Sequence, residues 1–237
     1  MKRYLRHYSW THPGRVAVAR SARRIRAHAE RYLGGRLLDI GCGSKWKVDL
    51  VGDLVEEYVG LDHEGSMHDQ SVVDLFGTAD AIPQPNASYD SVLCTSVLEH
   101  LEEPARALRE SLRVLKPGGH AIYTAPLFWH LHEKPRDFFR YTEYGLAHLF
   151  TGAGYEVVAI EALSGFWITA VAELGYYSLA TWPRAMRPLV RLAIAWNNLT
   201  TPLLDTIDTR LHPGSRDWTW LYLVVARRPA REGIELA

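Results

Sequence analysis

The sequence is poor in cysteine and has neither a long apolar run nor an excess of charge of one sign. Its 237 residues contain two cysteines, Cys42 and Cys94, which cannot form a disulfide framework, so we expect a reducing, cytoplasmic environment. No apolar run reaches the roughly 20 residues that a membrane-spanning helix needs. The amino-terminal residues are charged and aromatic, so we expect no signal peptide.

The zero net charge conceals a strong asymmetry along the chain. Residues 1–36 contain ten Lys or Arg and one acid, whereas residues 37–103 contain fourteen acids and two lysines. With 47% hydrophobic residues, the chain can bury a full core and is predicted to form a single domain, 1–237, with a basic helical arm at 1–35. The arm could steer an anionic substrate or touch a phospholipid surface, or it could simply be a solvated helix face. No nucleic-acid-binding module accompanies it, which disfavours a nucleic acid partner.

Residues 37–46, LLDIGCGSKW, combine an apolar run with a glycine-rich turn. The run that ends at Ile40 predicts a buried parallel strand, and the turn predicts that a helix follows. Gly41 and Gly43 lack the Cβ atoms that would keep a ligand away from the backbone. A nicotinamide dinucleotide site would need a third glycine where this sequence has Trp46, so that class of cofactor is disfavoured.

An acidic residue follows the glycine turn at the spacing that is typical of a ribose-binding carboxylate. Residues 58–62, YVGLD, predict a second strand that ends at Asp62, about 20 residues beyond the turn. At this spacing a carboxylate can accept hydrogen bonds from both ribose hydroxyls, although a strand-end acid can also simply face water. Apolar patterns predict further strands at residues 71–76, 91–95, 120–125, 155–160 and 220–226, and helices at 15–33, 105–115 and 143–150.

The glycine turn resembles the first motif of the class I S-adenosylmethionine-dependent methyltransferases, and the chain is similar to their type 11-like small-molecule members. Three later segments resemble the same family in the right order: GTADAIP at 77–83, SVLCTSVLEHL at 91–101 and LKPGG at 115–119. The first of these departs from the usual pattern, because Thr78 stands where the family has an acid and Asp80 follows. The resemblance implies a Rossmann-like α/β fold with a seven-stranded, mostly parallel sheet, helices on both faces and an antiparallel last strand.

The same resemblance implies that S-adenosylmethionine is the cofactor. Carried over position by position, it predicts the following cofactor-binding residues: Asp39, Gly41, Cys42, Gly43, Asp62, His63, Thr78, Ala79, Asp80, Thr95 and His100. The contact with the adenine amino group could fall to Thr78, to Asp80 or to backbone atoms at Ala79.

The acceptor should meet the loops that follow the fourth and fifth strands, because open α/β sheets bind ligands at the carboxyl ends of their strands. Residues 126–142 are therefore the predicted acceptor wall, and His130 or His132 is the preferred general base for a hydroxyl. Asp137 and Tyr141 complete the predicted catalytic set. The polar groups could instead hold the loop together, for instance through an ion pair between Asp137 and Arg140.

A metal ion is not expected from this segment. His130, His132 and Glu133 offer two imidazoles and a carboxylate, but a third well-spaced ligand is missing. The run HEKPRDFFRYT at 132–142 resembles a segment of bacterial methyltransferases of polysaccharide, cell-envelope and secondary-metabolite pathways, which favours a small-molecule acceptor.

Residues 163–217 intervene where the family joins its last two strands tightly, and they are too many for a structureless loop. We predict a helical insertion with one of three roles. It could cap the active site and line an apolar acceptor pocket, form a homodimer surface, or lie in a membrane interface with arginines at head-group level, in that order of preference.

The predicted function is methyl transfer to a small-molecule, glycan or glycolipid acceptor, at a hydroxyl. The alternatives are a module that binds the cofactor without methylating anything, and N- or C-methylation of a different small molecule. Transfer of an aminopropyl group is disfavoured, because the sequence has no distinctive acidic signature for a polyamine.

Overall fold

The structure, a computed structural model, describes residues 4–230, without the side chains of Tyr4 and His7. Residues 1–3 of the predicted arm and 231–237 of the predicted domain lie outside that range. The strands are β1 (Arg36–Ile40), β2 (Glu57–Asp62), β3 (Leu75–Phe76), β4 (Tyr89–Thr95), β5 (Leu115–Pro126), β6 (Glu156–Ala162) and β7 (Leu221–Arg227). The α-helices are α1 (Arg15–Tyr32), α2 (Val48–Val51), α3 (Pro104–Val114), α4 (Glu143–Gly152), α5 (Phe166–Thr181) and α6 (Arg187–Leu211).

The seven strands form one sheet in the order β3-β2-β1-β4-β5-β7-β6. Neighbouring strands from β3 to β5 run parallel, whereas β7 is antiparallel to both β5 and β6. This confirms the predicted sheet and its antiparallel last strand. The strand order reverses between β1 and β4, so the carboxyl ends of these strands border a crevice of the kind that binds ligands in open α/β sheets.

Each face of the sheet packs against its own apolar layer. Leu38 of β1 and Val92 of β4 belong to the layer that contains Phe150 of α4. Their neighbours Leu37 and Leu93 belong to the layer that contains α1, because successive side chains of a strand point to opposite faces. Helices therefore cover both faces, as predicted, and this explains why the apolar residues of β1 and β4 lie on both sides of the sheet.

The predicted third strand at residues 71–76 is wrong in its extent. A short 3-10 turn covers Gln70–Val72, and β3 is limited to Leu75–Phe76. Asp74 accounts for the interruption, because its carboxylate, in place of a strand carbonyl, accepts the Gly60 N–H at 2.7 Å. A side chain thus replaces part of the backbone ladder at this end of the sheet.

The other predicted elements are present, and their ends differ from the prediction by a few residues. The predicted cap of α4 is confirmed, since the Thr142 hydroxyl accepts the Gly145 N–H at 3.0 Å. The fifth strand begins earlier than predicted, at Leu115 instead of His120. The lysine-proline-glycine-glycine segment is therefore part of β5.

The insertion between β6 and β7 is helical, as predicted, and consists mainly of α5 and α6. Asp205 of α6 is fully buried, and its carboxylate accepts the N–H groups of Gly165 and Ile168, at the start of α5, at 3.2 Å each. The same carboxylate pairs with Arg20 of α1 at 2.6 Å. Helix-terminal N–H groups and a cation together compensate for the burial of this charge. One side chain therefore ties the insertion to the amino-terminal helix.

We expect Asp205→Ala to lower the free energy of unfolding by about 3 kcal/mol, because it removes one partner of a buried ion pair. This value is near the low end for such pairs, since Arg20 is 33% exposed. Chemical denaturation measures this loss, and hydrogen exchange should show that α5 and α6 lose protection first. Asp208→Ala is the matched control on the same helix. It removes bonds to Ser215 and His212 from a partly exposed carboxylate, so it should cost about 1 kcal/mol or less. Equal losses in both variants would contradict the proposed anchor.

Candidate active site

The turn after β1 is shaped by two glycines and by a carboxylate from β2. Gly41 and Gly43 have φ angles of 68° and 55°, a region that glycine adopts without strain. The Asp62 carboxylate accepts the N–H groups of Gly43 and His63 at 2.8 Å each. A Cβ atom on Gly41 would collide with the Val97 side chain, so this position requires glycine.

A large cavity of about 870 Å³ opens beside this turn. Seven of the residues predicted to bind the cofactor line it: Gly41, Asp62, His63, Thr78, Ala79, Asp80 and His100. The other four, Asp39, Cys42, Gly43 and Thr95, are not in its wall. The glycine turn, the acid at the end of β2 and the segment after β3 therefore face one common space.

Asp39 and Cys42 lie beneath the turn. The buried Asp39 carboxylate accepts a hydrogen bond from the Tyr58 hydroxyl, and Lys47 Nζ lies 3.6 Å from its other oxygen. Lys47 Nζ also donates to the Gly41 carbonyl at 3.0 Å. Burial raises the pKa of the Asp39 carboxyl, and it raises the pKa of the Cys42 thiol to about 12. Asp39 therefore supports the turn from below, and Cys42 is an unreactive thiol.

The segment after β3 forms another part of the large cavity. Thr78 and Ala81 make an isolated antiparallel bridge, with the Ala81 N–H donating to the Thr78 carbonyl at 3.1 Å. The Asp80 carboxylate lies 3.5 Å from the guanidinium of Arg106, which also lines the cavity. The sequence prediction missed Arg106, because nothing in its position along α3 signals that it reaches this segment.

A second cavity, of about 260 Å³, shares the lining residues Ser96, His100 and Glu133 with the large cavity. Its wall is strongly aromatic, and the rings come from five different parts of the chain: Tyr8, Trp46, Trp129, Tyr176 and Trp220. Thr95, predicted to bind the cofactor, lines this second cavity instead. Tyr176 belongs to α5, so the insertion contributes one residue to the wall of this cavity.

Three buried polar atoms of residues that line the second cavity have no hydrogen-bond partner among residues 4–230. They are Ser21 Oγ, Glu99 Oε2 and Trp220 Nε1. Buried polar groups are nearly always paired, so these three unpaired atoms single out this wall as a candidate contact region for a bound molecule. An aromatic wall with a few polar groups is typical of a small-molecule site.

The two predicted catalytic histidines lie in different places. His132 lines the second cavity, where burial lowers the pKa of its imidazole. His130 is in the wall of neither cavity, and its Nδ1 lies 3.2 Å from Glu173 Oε2 on α5. The structure therefore separates two candidates that the sequence left equivalent.

The other two predicted catalytic residues hold the loop at 126–142 in place. Arg140 donates to both carboxylate oxygens of Asp137, at 2.6 and 2.9 Å, which holds the pKa of Asp137 well below its usual value. The Tyr141 hydroxyl donates to the Leu98 carbonyl at 2.9 Å. Neither Asp137 nor Tyr141 lines either cavity. Arg140 holds the Asp137 side chain within the loop, and Leu98, in the turn after β4, holds the Tyr141 hydroxyl.

Glu99 is a candidate functional residue that the sequence prediction missed. It lies in the short 3-10 turn Leu98–His100 after β4, is 1% exposed, and lines the second cavity. Burial raises the pKa of its carboxyl to about 8. A signal was present in the sequence, because Glu99 directly precedes His100 within the segment that resembles the methyltransferase family.

Solved structures with this fold include the 4+2 cyclase SpnF, with a TM-score of 0.57 at 21% identity, covering 88% of this chain and 82% of that one. An S-adenosylmethionine-dependent methyltransferase from Mesorhizobium loti has a TM-score of 0.51 at 18% identity, covering 82% of this chain and 92% of that one. At these identities the likeness shows the fold alone. It is the Rossmann-like fold of the class I methyltransferases.

Residues 38–123 match the family described as "Methyltransferase domain". A "Probable S-adenosylmethionine-dependent methyltransferase" of Mycolicibacterium smegmatis is 32% identical over 158 residues, 62% of this chain and 61% of that protein. A ubiquinone biosynthesis O-methyltransferase of Ruegeria pomeroyi is 36% identical over 98 residues, 37% of this chain and 40% of that protein. The match thus spans less than two thirds of each of these curated relatives. Residues 38–123 therefore match the methyltransferase-domain family, and the chain is similar to S-adenosylmethionine-dependent methyltransferases.

The cofactor of this family is S-adenosylmethionine, and the wall of the large cavity suits its methionine, ribose and adenine parts. The turn at Gly41 leaves the backbone open to the methionine end, and Asp62 has lone pairs left to accept bonds from ribose hydroxyls. Thr78 and Asp80 would face the adenine end. The donor and acceptor chemistry of the cavity wall therefore matches the family cofactor.

We expect Gly41→Val to reduce S-adenosylmethionine binding below detection, because a branched side chain would meet Val97 and strain a turn with positive φ. Asp62→Ala should weaken binding by about 1.5–3 kcal/mol, roughly 10- to 150-fold in Kd. Isothermal titration calorimetry measures both. Gly34→Ala is the control, since its added Cβ would meet nothing within 4 Å. Unchanged affinity in both site variants would refute the site.

Proposed function

We propose that this protein transfers the methyl group of S-adenosylmethionine to a hydroxyl of a small-molecule, glycan or glycolipid acceptor bound in the second cavity. The observation that carries this proposal is the wall that the two cavities share, formed by Ser96, His100 and Glu133. A cofactor in the large cavity and an acceptor in the second cavity would lie next to each other at these three shared residues. Such an arrangement is what an in-line displacement between two bound molecules requires.

Methyl transfer to a hydroxyl requires that the nucleophile is aligned with the methyl group, that water is excluded and that the hydroxyl loses its proton. Alignment of the nucleophile with the methyl carbon can supply about 7–11 kcal/mol of the barrier. The aromatic wall, including Trp129 and Trp220, would exclude water from the reacting atoms. We assign activation of the acceptor hydroxyl to Glu99, His100 and His132, which lie where the two cavities meet.

Two further observations bear on the acceptor. A relative is named for O-methylation in ubiquinone biosynthesis, which supports oxygen as the methylated atom. Five aromatic side chains around the second cavity suit an acceptor that carries a ring, since offset and edge-to-face ring contacts are favourable. A phenol or a ring-bearing lipid fits both observations.

A second candidate function is cofactor binding without methyl transfer. The structural likeness to the 4+2 cyclase SpnF supports this candidate, because the fold by itself does not determine the reaction. The two candidates differ in one measurable product. Methyl transfer releases S-adenosylhomocysteine, whereas simple binding leaves S-adenosylmethionine intact.

We expect His132→Ala to reduce S-adenosylhomocysteine formation by about 10²–10⁴-fold, with cofactor affinity nearly unchanged, because His132 lines the second cavity and not the large one. Turnover with a panel of phenols, sugars and glycolipids, followed by mass spectrometry, measures this. His130→Ala is the matched variant from the same loop and should have a much smaller effect. If the wild-type protein binds the cofactor but forms no product with any acceptor, the second candidate function is supported instead.

The outer face of α6 supports a proposal about the partner. Large apolar side chains recur along this helix at separations of mostly three or four residues, and all are exposed: Leu189, Leu192, Trp196, Leu199, Leu203, Leu204, Ile207 and Leu211. Among residues 4–230, no helix has the length and apolar composition to cross a membrane. The face is nevertheless more apolar than a solvated surface needs to be.

We propose that this face rests on an anionic lipid surface. Arg184, Arg187 and Arg191 lie at the start of the apolar row, and the arginine-rich α1 packs against the same insertion through the Arg20 bond to Asp205. Basic residues beside an apolar helix face with tryptophan are typical of helices that lie in a membrane interface. A second copy of the chain is the competing occupant.

We expect the double variant Leu192→Glu with Leu199→Glu to lose binding to phosphatidylglycerol vesicles in flotation assays, because two carboxylates would enter an anionic apolar interface. Binding of the wild type should weaken in pure phosphatidylcholine and at high salt. Tyr144→Glu, on the exposed side of α4, is the control and should float normally. A wild-type dimer by light scattering that ignores vesicles and becomes a monomer in the double variant would assign the face to a second copy instead.

A further inference from the structure

Glu99, His100 and His132 bring three metal-ligating side chains together where the two cavities meet. One ligand atom from each lies within 4.8 Å of the other two. This cluster differs from the triplet that the sequence suggested, because His130 points to Glu173 instead. A carboxylate after β4 and an imidazole from the loop after β5 meet here only through the tertiary fold.

The unpaired Glu99 oxygen is a second, independent observation that favours a cation at this cluster. The side chain is 1% exposed, and its Oε2 has no hydrogen-bond partner within the part of the chain that the structure describes. Its Oε1 lies 3.9 Å from His100 Nε2, beyond hydrogen-bond distance. A buried carboxylate oxygen without a hydrogen-bond partner is costly, and a metal ion is one of the ligands that would compensate for the cost.

The hydrogen bonds of the two imidazoles present the correct nitrogen atoms. His100 Nδ1 lies 2.6 Å from the Arg136 carbonyl, and His132 Nδ1 lies 3.3 Å from the His130 carbonyl. A carbonyl can only accept, so each Nδ1 carries the proton and each neutral ring keeps a lone pair on Nε2. Metal-binding histidines are typically oriented in this way, through an N–H donated to a carbonyl or a carboxylate.

We propose that Glu99, His100 and His132 bind one divalent transition-metal ion at the position where the acceptor hydroxyl would lie. Two imidazoles and one carboxylate suit Zn²⁺, Fe²⁺ or Mn²⁺ better than Mg²⁺ or Ca²⁺. Ligand bonds of about 2.0–2.2 Å require the three side chains to close slightly around the ion. Three protein ligands leave the fourth position of a tetrahedral ion open for the acceptor oxygen. Glu133 Oε2 lies nearby, 3.8 Å from His100 Nε2.

The catalytic role of this ion rests on the proposed function, whereas its binding does not. A divalent ion lowers the pKa of an oxygen bound to it, so the acceptor hydroxyl would lose its proton to solvent near neutral pH. The new O–CH₃ bond forms as the S–CH₃ bond breaks. The S–C electron pair stays on sulfur, and the products are a methyl ether and the neutral thioether S-adenosylhomocysteine. No electron transfer is involved, and no further reactant is needed.

The test is metal binding by the full-length protein after chelator treatment. Calorimetric titration with Zn²⁺, with the bound metal counted by mass spectrometry after dialysis, should give about one equivalent per chain, and Co²⁺ should give visible absorption bands. Glu99→Gln and His132→Asn should each weaken Zn²⁺ binding at least about 100-fold, above the 10- to 100-fold loss typical of outer-shell changes. His148→Ala removes an exposed histidine on α4 and should bind like the wild type.

Binding of S-adenosylmethionine by the same samples shows that each variant is folded and separates the two proposals. The metal site is overturned if the wild type binds no stoichiometric Zn²⁺, or if Glu99→Gln and His132→Asn both retain wild-type affinity. Product formation by a metal-free wild type would support methyl transfer and refute the catalytic role of the ion, and it would leave the binding result to decide the site. One bound Zn²⁺ that is lost in both variants supports the site even if no acceptor is ever methylated.

Discussion

The hydrogen bond between the Asp62 carboxylate and the Gly43 N–H is the constraint on which the site depends. A carboxylate that is 6% exposed needs donors, and the glycine turn supplies one at 2.8 Å. The turn held in this way puts Gly41 against Val97 without room for a Cβ atom. Val97 begins the segment that carries Glu99, so this contact connects the wall of the large cavity to a residue that lines the second cavity.

The loop after β5 shows how charged residues that resemble catalytic groups can serve a structural purpose. Arg140 donates to Asp137 and to the carbonyls of Trp129 and His130, and Asp137 accepts the His132 N–H at 2.9 Å. Charges with little exposure are stable only when they are paired in this way. These bonds hold the His132 ring in position, with its centroid 4.7 Å from that of the His100 ring.

The inner and outer sides of the insertion have different surroundings. Its inner side places Tyr176 in the aromatic cavity and buries Asp205 as the link between three helices. Its outer side leaves a row of leucines and a tryptophan on α6 that no other part of residues 4–230 covers. The three roles that the sequence left open for the insertion are thus not exclusive, because α5 and α6 face different neighbours.

The sequence by itself determined the sheet, the glycine turn and the acid at Asp62, because apolar runs, glycine conformation and the spacing along one βαβ unit are local properties. It predicted β3 too long, since the bond from Gly60 to the Asp74 side chain is invisible to residue patterns. Only the tertiary structure decided that His132, and not His130, lines a cavity beside the buried Glu99. Those contacts join loops that are distant in the chain, and they depend on packing and on the pairing of charges after the strands have assembled.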